Sequence, residues 1–105
     1  MKIVINGAGR IGRCLVRMIL QDKDLDLYQV NDPYLTSESF CYLVNFDSIY
    51  GPFNNKLKCI NNKEVIFGKK KIIFSKHKDL YSKRFIKDPD IIVDASGIKK
   101  NHDKI

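Results

Sequence analysis

Three glycines and one aspartate have the types and spacing that could bind a phosphorylated nucleotide. Gly7, Gly9 and Gly12 form a G-x-G-x-x-G pattern directly after a short apolar run, and Asp32 follows Gly12 by 20 residues. In such a turn the glycines permit a tight bend, close approach of a pyrophosphate and close packing of helix on strand. An acidic residue at this distance suits the ribose hydroxyls, although Asp32 could instead only cap the turn that follows it.

A strand–helix–strand unit would position these residues. Residues 2–6 contain a continuous apolar run, which is typical of a buried parallel strand. Between residues 10 and 20, apolar side chains recur at three- and four-residue intervals, which predicts an amphipathic helix with its arginines outside the apolar stripe. Residues 26–31 predict a second strand, which ends before Pro33 because proline cannot donate a ladder hydrogen bond. The pyrophosphate would then lie at the helix N-terminus.

The middle of the chain predicts a second helix followed by short strands. Thr36 or Ser37 can cap a helix that runs to about residue 45. Three extended runs separated by turns then predict an antiparallel β meander inserted into the α/β pattern. These runs are residues 56–60, 63–67 and 70–74.

The last part of the chain predicts one more parallel strand. Residues 91–93 form a buried apolar run that ends at an Asp-Ala-Ser-Gly segment, where ligands bind in open α/β sheets. Residues 79–85 fit a single helical turn, and residues 98–105 fit the beginning of a helix. The fold class is therefore α/β, with a Rossmann-type, partial doubly wound parallel sheet and an inserted antiparallel meander.

The composition is that of one globular domain. The chain has 105 residues, of which 44% are hydrophobic and 30% are charged. No apolar run approaches the roughly 20 residues of a membrane span. Glycines and arginines interrupt any apolar segment near the N-terminus, which argues against a signal peptide. We therefore expect a cytoplasmic protein without a membrane partner.

The net charge of +7 raises the question of a nucleic-acid partner. The lysines are scattered, with apolar residues between most of them, as on the solvated faces of strands and helices. No zinc-finger or RNA-recognition motif accompanies them, so we interpret the charge as solvated surface and do not expect a nucleic-acid partner. Three widely spaced cysteines and two histidines make neither a C-x-x-C pair nor a metal-ligand pattern, so we expect free thiols and no metal site.

Four segments resemble the glyceraldehyde-3-phosphate dehydrogenase family, and they occur in the family's order over nearly the whole chain. They are similar to the I-N-G-F-G-R-I-G-R opening, the ribose-binding N-D-P segment, the Y-M-x-x-Y-D-S-x-H-G segment and the V-x-E-[AS]-[ST]-G strand end. In this sequence they are residues 6–13, 30–33, 42–51 and 93–97. Ala8 replaces the usual Phe, and Tyr50 replaces the usual His.

The resemblance implies NAD as the cofactor and assigns a role to each matching residue. The pyrophosphate would be bound by Gly7, Gly9, Arg10, Ile11 and Gly12. Asp32 would bind the adenosine ribose and repel a 2′-phosphate, which favours NAD over NADP. Lys78 would lie near the adenine, and Ser96 and Gly97 would contact the cofactor at a strand end.

The family's catalytic residues have no counterpart in this sequence. The family's S-C-T-T-N-C nucleophile segment is absent, and Cys14, Cys41 and Cys59 lie in other contexts. The resemblance therefore implies an NAD-binding domain over residues 1–105, without the second mononucleotide half and the catalytic domain, inactive by itself. Its parent would oxidise glyceraldehyde 3-phosphate or erythrose 4-phosphate with hydride transfer to NAD. No catalytic residue and no metal ligand is assigned.

Two kinds of partner follow from this interpretation. One is NAD or another adenine nucleotide. The other is a second copy or a complementary chain, because the strand at residues 91–93 would lack its usual neighbour and leave an exposed sheet edge. The competing hypothesis is a non-enzymatic interaction module, or a nucleic-acid-binding module, built on the same scaffold and using the positive charge.

Overall fold

The strand–helix–strand unit and the strands that follow it lie where the sequence predicts them. The computed structural model describes residues 1–46, 53, 56–78 and 89–96. Its elements are β1 (Lys2–Asn6), α1 (Arg10–Leu20), β2 (Asp26–Asn31), α2 (Ser37–Asn45), β3 (Leu57–Asn61), β4 (Glu64–Phe67), β5 (Lys70–Ser75) and β6 (Ile91–Asp94). Every predicted strand and helix among these is confirmed, but the apolar run at residues 91–93 is not buried as predicted, because Ile91 is 40% exposed and the two residues after it are half-buried on an edge strand. The predicted turn at residues 79–85 and the helix start at residues 98–105 lie outside the described residues.

All six strands form a single sheet in the order β3-β4-β5-β2-β1-β6. β1 pairs in parallel with both β2 and β6, and β2 pairs in parallel with β5. β3, β4 and β5 pair in antiparallel fashion. The predicted antiparallel meander is present and is continuous with the parallel sheet, because its last strand, β5, also pairs in parallel with β2. As a result, four parallel strands place their carboxyl ends along one edge.

The two helices pack on the sheet and bury part of its apolar side chains. α1 packs on β1 and β2, whereas α2 packs on β3 and β4, and the helices contact each other. Phe40 of α2 and Phe74 of β5 are both fully buried, with ring centroids 5.2 Å apart. The apolar run of β1 is buried as predicted, since Val4 and Ile5 have no exposed surface. These contacts fix α1, and therefore the turn before it, relative to the sheet.

Side-chain hydrogen bonds complete the ends of α2. The hydroxyl of Thr36 accepts a hydrogen bond from the N–H of Ser39 at 3.0 Å, so Thr36 is the N-cap among the two predicted candidates. At the other end, Arg17 of α1 donates from Nε to the carbonyl of Val44 at 2.8 Å. Arg17 lies outside the apolar stripe of α1 and is half-buried because it satisfies a carbonyl of the last turn of α2.

None of the helices in the described part of the chain is long and apolar enough to cross a membrane.

Candidate functional site

The three glycines of the turn between β1 and α1 have three different surroundings. Gly7 has φ +105°, and its N–H donates to the carbonyl of Asn31 at 2.7 Å. A Cβ at Gly7 would lie 2.5 Å from the backbone nitrogen of Ser96, and a Cβ at Gly12 would lie 2.0 Å from the carbonyl oxygen of Gly7. A Cβ at Gly9 would have no atom within 4 Å. Gly7 and Gly12 are therefore required by packing, whereas Gly9 leaves open space on the solvent side.

The N-terminus of α1 borders this open space. Gly9 is the N-cap, no side chain caps the helix, and its first turn contains no acidic residue. The first helical hydrogen bond runs from the N–H of Arg13 to the carbonyl of Gly9 at 2.9 Å. The N–H groups before Arg13 have no acceptor inside the helix, and they carry the positive end of its dipole. Arg10 and Ile11, two of the predicted pyrophosphate ligands, are exposed here. The arrangement suits an anion such as a pyrophosphate.

Asp32 connects the glycine turn to the end of β2. Its Oδ2 accepts a hydrogen bond from the N–H of Ala8 at 2.9 Å. Its Oδ1 accepts from the N–H groups of Tyr34 at 2.8 Å and Leu35 at 3.2 Å. The capping role that the sequence left open is therefore present. It does not use the whole acceptor capacity of the carboxylate, because the three hydrogen bonds occupy about three of its four lone-pair sites and leave one on Oδ2.

The end of β6 packs against the first glycine. Ser96 donates from its N–H and its hydroxyl to Oδ1 of Asp94, at 3.0 and 2.5 Å. The N–H of Ala95 donates to the carbonyl of Asn6 at 2.7 Å, which continues the pairing of β6 with β1. Ser96 consequently lies beside Gly7, as the shared edge of the sheet predicts. Gly97 lies outside the described residues.

Lys78 is at the periphery of this group. It is exposed and lies at the end of the described segment that follows β5. The preceding residue, His77, is held through its backbone by Asn31. Burial lowers the pKa of the His77 imidazole below its ordinary value.

A row of polar side chains along the edge was not predicted from the sequence. Each parallel strand ends in a polar residue, and the four residues are paired in register across the sheet. The row runs through Ser75, Asn31, Asn6 and Asp94, with hydrogen bonds of 2.6, 2.9 and 3.4 Å between successive side chains. The signal was a polar residue directly after each apolar run, but a single sequence does not show which strands are neighbours.

The cysteines do not form a nucleophilic site. Cys41 is buried, whereas Cys14 and Cys59 are half-buried, and all three are free thiols. The hydroxyl of Ser37 lies 3.2 Å from Sγ of Cys59. Burial, and to a smaller extent the neighbouring Cys59, raises the pKa of the Cys41 thiol to about 12. Within the described ranges, no three His, Cys, Asp or Glu residues are grouped as metal ligands would be.

We expect Cys41 to resist alkylation in the folded protein. With a pKa of about 12, only about one Cys41 thiol in ten thousand is ionised at pH 8, and the thiolate is the reactive form. Iodoacetamide labelling followed by peptide mass spectrometry should show Cys14 modified well before Cys41. In concentrated urea the difference should disappear. Equal labelling rates in the folded state would contradict the burial of this thiol.

The fold and the site together define an α/β dinucleotide-binding domain: a parallel sheet, a glycine turn at a helix N-terminus and an acidic residue at the next strand end. The family model for the NAD-binding domain of glyceraldehyde 3-phosphate dehydrogenase matches residues 1–102. This chain belongs to that family. The family resemblance predicted from the four segments is thus confirmed, and so are the Rossmann-type fold and NAD as the family's cofactor.

Individual relatives match roughly half of the chain. The cytosolic glyceraldehyde-3-phosphate dehydrogenase of Sinapis alba is 50% identical over 58 residues, which cover 54% of this chain and 17% of the relative. The cytosolic enzyme of Dianthus caryophyllus is 48% identical over 54 residues, covering 51% and 16%. Glyceraldehyde-3-phosphate dehydrogenase 1 of Saccharomyces cerevisiae is 44% identical over 52 residues, covering 50% and 16%. The matched segment thus spans about one sixth of the length of these relatives.

Proposed function

We propose that this chain binds the adenosine and pyrophosphate parts of NAD at the carboxyl edge of its parallel sheet. The pyrophosphate lies over Gly9, with the backbone of Gly7, Arg10, Ile11 and Gly12 around it. The open space at Gly9, bordered by an uncapped helix N-terminus, is the observation that carries this proposal. No other arrangement in the described residues combines exposed helical N–H donors with a glycine where a ligand can approach the backbone.

Asp32 accepts hydrogen bonds from the ribose hydroxyls through the free capacity of Oδ2. Its position supports this role, because Oδ2 already contacts the N–H of Ala8 inside the glycine turn. A ligand whose pyrophosphate lies over Gly9 therefore has its ribose within reach of the carboxylate. The same negative charge disfavours a 2′-phosphate, so NAD binds in preference to NADP.

The remaining candidates complete the cofactor site. Ser96 contacts the cofactor beside Gly7, and Gly97 continues this segment. Lys78 lies near the adenine end of the site, where its exposed side chain is free to turn toward the bound nucleotide. These roles are transferred from the family pattern, and each can be tested by substitution.

We assign the chain as a single domain that supplies the NAD-binding part of a cytoplasmic oxidoreductase. The reaction is aldehyde oxidation with hydride transfer to NAD, on glyceraldehyde 3-phosphate or erythrose 4-phosphate, and no catalytic residue is assigned within residues 1–105. Family membership does not favour the competing hypothesis of a nucleic-acid-binding module.

Calorimetry with ADP-ribose, NAD and NADP tests the proposal directly. ADP-ribose contains the parts of NAD that this edge contacts, so it should bind about as well as NAD, and NADP should bind more weakly. A fluorescently labelled oligonucleotide titrated at low salt serves as the control for charge-driven binding. Absence of heat with millimolar ADP-ribose would refute the proposed function, and equal affinities for NAD and NADP would refute the exclusion of a 2′-phosphate by Asp32.

The edge strand β6 is the proposed site for a second copy or a complementary chain. In the described part of the molecule β6 pairs only with β1, and Ile91 is 40% exposed. An unpaired apolar strand edge favours pairing with another strand. The strand β3 forms the opposite edge, and its Ile60 is similarly exposed at 46%.

We expect concentration-dependent association in sedimentation velocity, and we expect Ile91→Lys to suppress it. A lysine on an edge strand disfavours edge-to-edge pairing. Ile60→Lys provides the matched control, because it adds the same charge at the opposite edge and should leave association unchanged. A monomeric wild-type chain at high concentration, or equal effects of both substitutions, would argue against pairing through β6.

A further inference from the structure

We propose that Asn31 is a positioning residue that holds the segment after β5 in place for the nucleotide; this inference rests on the proposed function. Asn31 is fully buried at the end of β2, directly before Asp32. It does not face the solvent and is not assigned to any contact with the cofactor. Its role follows from what its side-chain amide connects.

The amide of Asn31 uses its whole hydrogen-bonding capacity. Its Oδ1 accepts from the hydroxyl of Ser75 at 2.6 Å and from the N–H of His77 at 2.9 Å. Its Nδ2 donates to Oδ1 of Asn6 and to the carbonyl of His77, both at 2.9 Å. An asparagine amide has two donors and one oxygen with two lone pairs, so no capacity is left over. A fully satisfied buried amide has a single well-defined orientation.

The hydrogen bonds from the Asn31 side chain to His77 take the place of backbone pairing between β2 and the segment after β5. β2 and β5 pair in parallel as far as Asn31 and Ser75. The main chain of β2 cannot continue this ladder, because residue 33 is Pro and the carboxylate of Asp32 binds the next two N–H groups. The Asn31 side chain bonds to both the N–H and the carbonyl of His77, as a neighbouring strand would. The segment after β5 therefore remains attached to the sheet beyond the end of the backbone pairing.

This attachment has a direct consequence for the binding edge. The N–H of Asp32 donates to the carbonyl of Ser75 at 2.9 Å. The ribose-binding residue is therefore bonded directly to the end of β5, where the segment that leads to Lys78 begins. Through Asn6 the same amide is connected to Asp94, which holds Ser96 beside Gly7. Asn31 thus joins the adenine side of the site to the glycine turn without touching the ligand.

Gln29 provides a matched control two residues earlier on the same strand. It is 2% exposed, and its Nε2 also bonds to the hydroxyl of Ser75, at 2.9 Å. It makes no bond to His77 or Asn6 among the hydrogen bonds of the described residues. Gln29→Ala removes more side-chain volume than Asn31→Ala, so it is at least as severe a change to packing. It leaves the attachment of residue 77 intact.

The experiment measures ADP-ribose affinity by calorimetry and amide hydrogen exchange by NMR in the wild type, Asn31→Ala and Gln29→Ala. We expect Asn31→Ala to weaken binding about tenfold, in proportion to the loss of buried hydrogen bonds, and Gln29→Ala to change it less than about twofold. The His77 amide should exchange slowly in the wild type and in Gln29→Ala, and quickly in Asn31→Ala.

The possible outcomes separate the two proposals. If the wild type does not bind ADP-ribose, the proposed function fails, and the positioning role toward the nucleotide fails with it. If the wild type binds and both variants weaken binding equally, only the positioning role is overturned. Should Asn31→Ala not fold, hydrogen exchange in the wild-type protein tests the attachment of the segment after β5. A His77 amide that exchanges as slowly as the β5 amides supports this attachment, and a rapidly exchanging His77 amide overturns it.

Discussion

Asp32→Ala is expected to eliminate measurable ADP-ribose binding and to lower the free energy of unfolding by about 2–3 kcal/mol, because it leaves N–H groups without an acceptor. Three backbone N–H groups donate to this carboxylate, from Ala8, Tyr34 and Leu35. The substitution therefore removes the ribose contact and loosens the glycine turn together. Urea unfolding followed by circular dichroism would measure the loss of stability, and calorimetry would measure binding.

Asp32→Asn separates the charge of the side chain from its structural role. The amide oxygen can still accept from the N–H groups of Tyr34 and Leu35, so the turn after β2 keeps its cap. Its NH₂ group faces the N–H of Ala8 in place of an acceptor, and the negative charge is gone. We expect a smaller loss of stability, weaker ADP-ribose binding and poorer discrimination between NAD and NADP. An Asp32→Asn protein that still excludes NADP as the wild type does would show that Asp32 is not the specificity residue.

The local elements could be predicted because their signals are local. The continuous apolar run of β1, the helical period of α1 and the cap at Thr36 each depend on residues within one or two turns of each other. The structure accordingly confirms β1, α1 and β2 at the predicted bounds. The same applies to the glycine turn, since the packing demands at Gly7 and Gly12 come from residues that the strand–helix unit brings together.

The pairing partners of the strands could not be predicted in the same way. The extended run at residues 70–74 indicates a strand, but it does not show whether the strand joins a meander, the parallel sheet or both. In the structure β5 does both. The role of Asn31 was missed for this reason: its amide acts on His77, 46 residues away, and only the sheet order reveals that contact.

The electrostatic part of the site was only partly visible in the sequence. The spacing of Asp32 from Gly12 indicated a ribose ligand, while the bond between Asp32 and the N–H of Ala8 depends on how the turn folds back over β2. Arg17 was expected on the polar face of α1, and its half-buried position reflects the two α2 carbonyls to which it donates. Long side chains reach partners that their position in the sequence does not specify.

Gly9→Ala is expected to abolish binding of ADP-ribose with little effect on folding, and this separates it from the other two glycines of the turn. A Cβ at residue 9 meets no protein atom within 4 Å, and the φ of −73° is accessible to alanine. The new methyl group occupies the space through which a pyrophosphate would approach the backbone. Alanine is a poorer N-cap than glycine, so we allow a loss of about 0.5–1 kcal/mol in the free energy of unfolding.

Gly12→Ala should show the opposite result, with a loss of stability exceeding about 3 kcal/mol, as severe overpacking against fixed backbone produces. Its Cβ would lie 2.0 Å from the carbonyl oxygen of Gly7, so α1 would have to move away from β1. Gly7→Ala should also destabilise, because φ is +105° and the Cβ would meet the backbone of Ser96. Urea unfolding and ADP-ribose calorimetry on all three variants test this order.

The comparison is decisive because the three substitutions add the same methyl group within six residues. If the turn served only to connect β1 to α1, Gly9→Ala would leave ADP-ribose binding unchanged and would lower stability only by the small difference between the two N-cap residues. A folded Gly9→Ala protein that binds ADP-ribose as tightly as the wild type would therefore exclude the pyrophosphate from this position. Loss of binding in a Gly9→Ala protein of nearly wild-type stability could not be explained by a disturbed fold, because nothing in the described part of the fold contacts the added carbon. That result would require a ligand that approaches the backbone at Gly9.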